Sequence, residues 1–129
     1  MYFTPEGSMH VYLKKHSEHY TISRPVTSAN NLILGTPYID QHGKSLAKNH
    51  KTGHVCDVEY KRRGWGGKNA GRLEGDIKDK NGQVVGTVYG TWSEKIQFKD
   101  SNGKESEVWK INDKIENWDH LYHFTLFGL

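Results

Sequence analysis

Eight histidines in a chain of 129 residues are the first candidates for chemistry. His16 and His19 stand three apart, as do His120 and His123, while His50 and His54 stand four apart. On a β-strand, residues three apart point to opposite faces, so two of these pairs could chelate an ion only across a turn. His50 and His54 flank Lys51-Thr52-Gly53 and can converge there, yet no third ligand accompanies them at a zinc-site spacing. The pattern fits solvated or hydrogen-bonded imidazoles and no metal. Cys56, the single cysteine, alternates with Val58 and Tyr60 as a small apolar group would, without the local signature of a nucleophile. Asp57, Glu59 and Glu74 occupy the polar alternates of extended segments, with no apolar surround to raise one carboxyl for general acid work. The loop from Gly64 to Gly67 lacks the Gly-Lys-Ser/Thr ending of a phosphate loop. Nothing here assembles an enzyme or calls for a cofactor. What is left is binding chemistry. Lys61, Arg62, Arg63 and Lys68 interleave with Tyr60 and Trp65, an arrangement that can stack nucleic-acid bases or meet anionic headgroups. Aromatics buried in a thin sheet would give the same pattern with no ligand.

The elements that must carry these residues are extended throughout. Alternation predicts strands over 8–13 and 19–24, separated by a polar turn at 14–17. Pro25 breaks the ladder, and a bent strand is expected over 28–41, its apolar centre Leu32-Ile33-Leu34 kinked by Gly35 and Pro37. A hairpin turn is expected at 41–44, then a strand pair over 44–50 and 55–61 joined by Lys51-Thr52-Gly53. Further strands follow over 72–78, 84–92, 93–99 and 107–111, with Lys80-Asn81-Gly82 and Asn102-Gly103 as turns. Gly86 and Gly90 share the face of Val84, Val88 and Trp92, leaving room beside the indole or admitting another backbone. Residues 112–117 read as a loop or helical turn, and 121–129 as a terminal apolar strand. No amphipathic helix of three turns is present. The fold class is all-β: about ten strands in an antiparallel meander.

Composition bounds the partners. Apolar residues make up 34% of the chain and mean hydropathy is −0.82, enough for a core only if the sheet is thin. Aromatics at 12% are too many for a disordered tail. The lone cysteine suits a reducing compartment. No apolar run approaches the ~20 residues that span a bilayer as a helix, and the first ten residues lack the layout of a signal peptide.

Several motifs narrow the reading. Glu18-His19-Tyr20-Thr21, Pro25, Thr27 and Asn31-Leu32-Ile33-Leu34-Gly35 are followed by Asn49, Thr52-Gly53, Cys56, Val58, Tyr60 and Gly64-Trp65. Gly75, then Gly90-Thr91-Trp92-Ser93-Glu94 and Phe124-Thr125-Leu126-Phe127 complete the set. In order and spacing the whole run resembles the oxysterol-binding protein-related family. That resemblance implies much of a large antiparallel barrel enclosing one lipid, a sterol or phosphatidylinositol 4-phosphate, and carrying it between membranes without covalent chemistry. It implies a cytoplasmic protein, peripheral at membranes or their contact sites, touching anionic surfaces transiently. A nucleic-acid-binding barrel using Trp65 and the 61–68 basic cluster is the alternative.

The family's paired-histidine signature Glu-Gln-Val-Ser-His-His-Pro-Pro is absent, and none of the eight histidines stands in for it. Residues 1–129 are therefore expected to be the central part of the domain, without the N-terminal lid and signature segment or the C-terminal region. Open sheet edges predict that such a piece is dimeric, aggregation-prone or dependent on the missing segments. By position in the bent strand the resemblance assigns Ala29 and Ile39 to the tunnel wall, with Asn31 and Ile33 sharing their parity. Trp65 and Trp92 are expected to pack in the core or at the rim.

Overall fold

A computed structural model describes residues 1–120 and contains ten strands: β1 (Tyr2–Phe3), β2 (Met9–Leu13), β3 (Glu18–Ile22), β4 (Val26–Asn30), β5 (Tyr38–Asn49), β6 (Val55–Tyr60), β7 (Arg72–Lys78), β8 (Val84–Thr91), β9 (Lys95–Asp100) and β10 (Glu105–Lys110). Every pairing is antiparallel. The expected terminal strand over 121–129 lies outside the described residues.

The second half of the chain folds as its turn chemistry dictates. Asp79 Oδ1 accepts the amides of Asn81 and Gln83 at 2.8 and 2.9 Å, and Asp100 Oδ1 accepts those of Asn102 and Lys104 at the same distances. Each carboxylate thereby closes its own loop, and Gly82 and Gly103 take the positive φ of +82° and +84° that the reversals need. The result is a meander β5-β6-β7-β8-β9-β10.

The first half departs from expectation in three places. The bent strand over 28–41 is instead a hairpin, β4 against β5, in register from Val26↔His42 to Asn30↔Tyr38. Between them Asn31 (φ 55°) and Gly35 (φ 89°) are left-handed, and Asn31 Nδ2 donates to the Thr36 carbonyl at 3.3 Å. The apolar triplet is thus a loop tip: Ile33 and Leu34 are 98% and 86% exposed. The expected turn at 41–44 does not exist either. Gly43, at φ +91°, bends the 12-residue β5 without reversing it.

At that bend the sheet branches. One edge of β5 pairs with β4 over Tyr38–His42 and with β3 over Ala47–Asn49, while the other edge pairs with β6 over 43–48. The fork is clasped by two serines. Ser45 Oγ donates to the Ser23 carbonyl at 2.6 Å, and Ser23 Oγ accepts the Leu46 amide at 2.8 Å. Pro25, two residues on, has no amide proton to continue the β3 ladder, so the chain leaves and restarts as β4. β1, unanticipated in the sequence, adds to β4 through Tyr2↔Ser28 and Phe3↔Thr27. The sheet does not close among the described residues; β2, β1 and β10 are its edges.

Candidate functional site

Cross-strand register sorts the central sheet into two unlike faces. One carries Ala47, Cys56, Ile77 and Gly86 in a row, then Ser45, Val58, Gly75, Val88 and Phe98, then Gly43, Tyr60, Leu73, Gly90, Ile96 and Trp109. The other carries Lys44, Glu59, Glu74, Tyr89 and Gln97, and beside them Leu46, Asp57, Asp76, Thr87 and Lys99. Because strand side chains alternate, this is one apolar and one charged surface on a single sheet. Yet among the described residues Leu73, 2% exposed, is the only apolar side chain that is fully buried. No second layer covers the apolar face there. It is a wall without its filling.

The wall's glycines are close-packing residues. A Cβ on Gly75 would run into the Asp57 carbonyl, one on Gly86 into the Phe98 ring, and one on Gly90 into the Lys95 carbonyl. Gly90 matches the expected approach of another backbone, while Gly86 mainly makes room for the Phe98 ring. Where residues of β1 to β6 come together, the apolar face deepens into an open recess of about 620 Å³. Phe3, Met9, Ile22, Pro25, Thr27 and Tyr60 are among its walls.

Ala29 and Ile39 form a cross-strand pair on β4 and β5, with the parity of Thr27 and Gln41, which line the recess. Ala29 is half-buried and Ile39 exposed. Asn31 and Ile33 do not share that parity. They sit in the 31–37 loop, Asn31 bracing its backbone and Ile33 pointing into solvent.

Polar groups bound the wall at one end. Asn49, buried at 8% exposure, donates from Nδ2 to the Tyr20 hydroxyl at 3.0 Å, and Tyr20 donates to Glu18 Oε2 at 2.6 Å. Asn49 Oδ1 accepts the amides of Lys51 and Thr52 at 2.9 and 3.2 Å, so one side chain ties the β5–β6 turn to β3. The Tyr20 bond holds the Glu18 carboxyl below its usual range and pushes the phenol up. Sequence reading missed this cluster, although an Asn three residues before a turn residue at Thr52-Gly53 is an Asx-turn signal. Burial raises the Cys56 thiol, with Asp57 and Asp76 adding to it, which opposes thiolate formation.

His10, His19 and His50 gather on the charged face. His10 Nδ1 and His19 Nε2 are 3.0 Å apart, and the His19 ring stacks on His50. His54 Nδ1 turns instead to Thr52 Oγ1 at 2.8 Å, so His50 and His54 do not converge. Among the described residues no group of three His, Cys, Asp or Glu is placed to hold a metal ion. Lys61 Nζ lies 2.6 Å from Glu59 and 2.8 Å from Glu74, tying down two cross-strand carboxylates.

At the opposite end from Asn49, buried Asp40 accepts the Arg63 amide at 3.0 Å and anchors the loop after β6. The Arg63 guanidinium lies 4.4 Å from the centre of the Tyr38 ring. Trp65, expected in core or rim, is fully exposed at 101% because Gly64, Gly66 and Gly67 give it nothing to pack against. Trp92 is half-buried.

Comparison with known proteins agrees with this architecture. The family model described as oxysterol-binding protein matches residues 1–129. The human oxysterol-binding protein-related protein 2 is 39% identical over 117 residues, 91% of this chain and 24% of that protein. An Arabidopsis thaliana oxysterol-binding protein-related protein 1B is 35% identical over 83% of this chain and 22% of its own. Among solved structures, the Osh1 ORD domain in complex with cholesterol superposes with a TM-score of 0.66 at 23% identity, over 77% of this chain and 27% of that one. Its complex with ergosterol gives 0.67. The chain thus spans about a quarter of the length of the human relative, 24%. Over that span, with an antiparallel wall apolar on one side and the family model matched from end to end, the chain belongs to the oxysterol-binding protein family.

Proposed function

We propose that this chain supplies wall strands to a carrier that holds one lipid, a sterol or phosphatidylinositol 4-phosphate, and transfers it between membranes. The observation that carries the reading is the apolar face whose only fully buried apolar side chain among the described residues is Leu73. A lipid chain drawn into water loses about 0.8 kcal/mol per methylene, and a wall of this kind removes that penalty. Cholesterol and ergosterol in the related Osh1 domain support a sterol as one cargo. In this reading Ala29 and Ile39 belong to the lining, and Asn31 and Ile33 meet the lipid at the mouth of the container. No bond is made or broken, so the protein is not an enzyme. It works in the cytoplasm, touching membranes peripherally; no helix among the described residues is long and apolar enough to cross a bilayer.

The test is uptake of a fluorescent sterol from a soluble donor by the full-length protein, followed by transfer between two vesicle populations. Ala29→Trp and Ile39→Asp, placed on the lining, should each lower uptake about tenfold, the effect of removing roughly one apolar contact set of 1–2 kcal/mol. Saturable uptake that neither variant changes would remove Ala29 and Ile39 from the lining. A wild-type protein that takes up neither sterol nor phosphoinositide would end the carrier reading.

A further inference from the structure

The two ends of the sheet are chemically unlike. One end gathers the turns 14–17, 50–54, 79–83 and 101–104, built only of Lys, His, Ser, Thr, Asp, Asn, Gln and Gly, with no large apolar side chain. The other gathers the 31–37 loop and the 61–71 loop, and these two meet. Asn31, Tyr38, Arg63 and Trp65 line one shared recess.

That second end is amphipathic in a particular way. Leu32, Ile33, Leu34 and Trp65 are exposed at 61, 98, 86 and 101%. Singly exposed apolar residues are ordinary, but four at the tips of two adjoining loops form a patch that marks an interaction site. Basic groups stand just behind the tips. Arg62 Nη2 lies 3.2 Å from His42 Nε2, Arg63 sits on the Tyr38 ring, and Lys68 is exposed. The nearby carboxylate, Asp40, is buried and engaged by the Arg63 amide. Apolar tips, an indole and a basic collar in that order match the layering of a bilayer interface: acyl boundary, headgroup level, anionic surface.

We propose that this end docks on an anionic bilayer, with Leu32, Ile33, Leu34 and Trp65 inserted and Arg62, Arg63 and Lys68 at the headgroups. The proposal deepens the carrier reading by giving the wall a direction: the β4–β5 and β6–β7 loops face the membrane and the β5–β6 turn faces away.

Flotation of the full-length protein with vesicles of phosphatidylcholine, alone or with phosphatidylserine, tests it. Ile33→Ser with Leu34→Ser, and separately Trp65→Ala, should each lower partitioning about tenfold on anionic vesicles, as loss of buried apolar area does. Arg62→Gln with Arg63→Gln should lower it about fivefold per charge on anionic vesicles only, with the loss erased by salt. Lys14→Gln with Lys15→Gln at the far end should leave partitioning unchanged. Brominated acyl chains should quench wild-type tryptophan emission more than that of Trp65→Phe. Equal flotation of both loop variants and wild type, equal binding to neutral and anionic vesicles, or an equal loss from the far-end variant would each overturn the proposal. So would unquenched Trp65, the result expected if the rest of the chain or a second copy covers this end. Sterol uptake from a soluble donor separates the two readings. A Trp65→Ala protein, or one with Arg62→Gln and Arg63→Gln, that loads sterol normally but fails to float supports docking, and a wild type that floats without loading sinks the cargo instead.

Discussion

The ring of His50 lies 4.8 Å from that of His19 and within 20° of parallel, two imidazoles from different strands stacked face to face. His10 continues the row at 5.2 Å from His19. His50 Nε2 is 2.9 Å from Thr21 Oγ1, and Lys48 shares the face. Loss of solvent, then the positive neighbours His19, Lys48 and His10, hold the His50 imidazole below its ordinary 6.5.

That stack makes the β3–β5 seam acid-sensitive. A base with a lowered folded value binds fewer protons folded than unfolded, so stability rises with pH across the window between that lowered value and 6.5. Its contribution is complete above the window and lost below it. Melting temperature should fall from about pH 7.5 to about pH 5.5, the range over which histidine charges. His50→Gln and His19→Gln should flatten that slope. A slope unchanged in both would show that the stack does not set it.

Asn49→Ala should destabilise by about 1–3 kcal/mol, the usual loss when buried polar partners are left unmade. The amides of Lys51 and Thr52 lose their acceptor and the Tyr20 hydroxyl loses a donor. Hydrogen exchange should quicken first at those two amides, and urea unfolding gives the magnitude.

Gly75→Ala tests the packing of β7 on β6. Its new methyl would strike the backbone of Asp57 and Val58, an overpacking that typically removes about 1–3 kcal/mol. Gly82→Asn is the contrast, because nothing lies within 4 Å of that position and Asn accepts left-handed backbone. It should stay within about 0.5 kcal/mol of wild type.

Asp40→Ala should loosen the loop that carries Trp65 without moving the sheet's far end, since its carboxylate is what holds the Arg63 amide. The expected loss is about 1–3 kcal/mol, with faster exchange confined to the residues following β6. Uniformly faster exchange would mean that Asp40 supports the whole sheet.

The half of the fold legible in the sequence is the half held by local chemistry. Asp79 with Asn81-Gly82, and Asp100 with Asn102-Gly103, announce their reversals because each closes on itself within a few residues. Gly43 misleads for the same reason: a left-handed glycine between polar residues looks like a turn, and only the pairing of β5 on both edges keeps the strand running. Leu32-Ile33-Leu34 misleads because apolar triplets usually enter cores. Here Asn31 and Gly35 take the backbone out of the β region, and the side chains follow it into solvent.

The candidate site divides likewise. Ala29 and Ile39 could be matched by parity because each lies on a strand, whereas Asn31 and Ile33 lost that parity when the strand ended at Asn30. The His10–His19–His50 row was invisible because spacing along the chain says nothing about which strands become neighbours. The same holds for the fork at Ser23 and Ser45, a contact 22 residues apart.

The unfilled apolar wall carries a consequence for how this protein exists at all. In the carrier reading proposed above, a lipid on that side supplies the interior the sheet lacks, so binding and folding are thermodynamically coupled. A ligand held at a hundred times its dissociation constant adds about 2.7 kcal/mol to stability. The form without a ligand is then expected to be the more fragile one, open to proteases and to association through its unpaired strands.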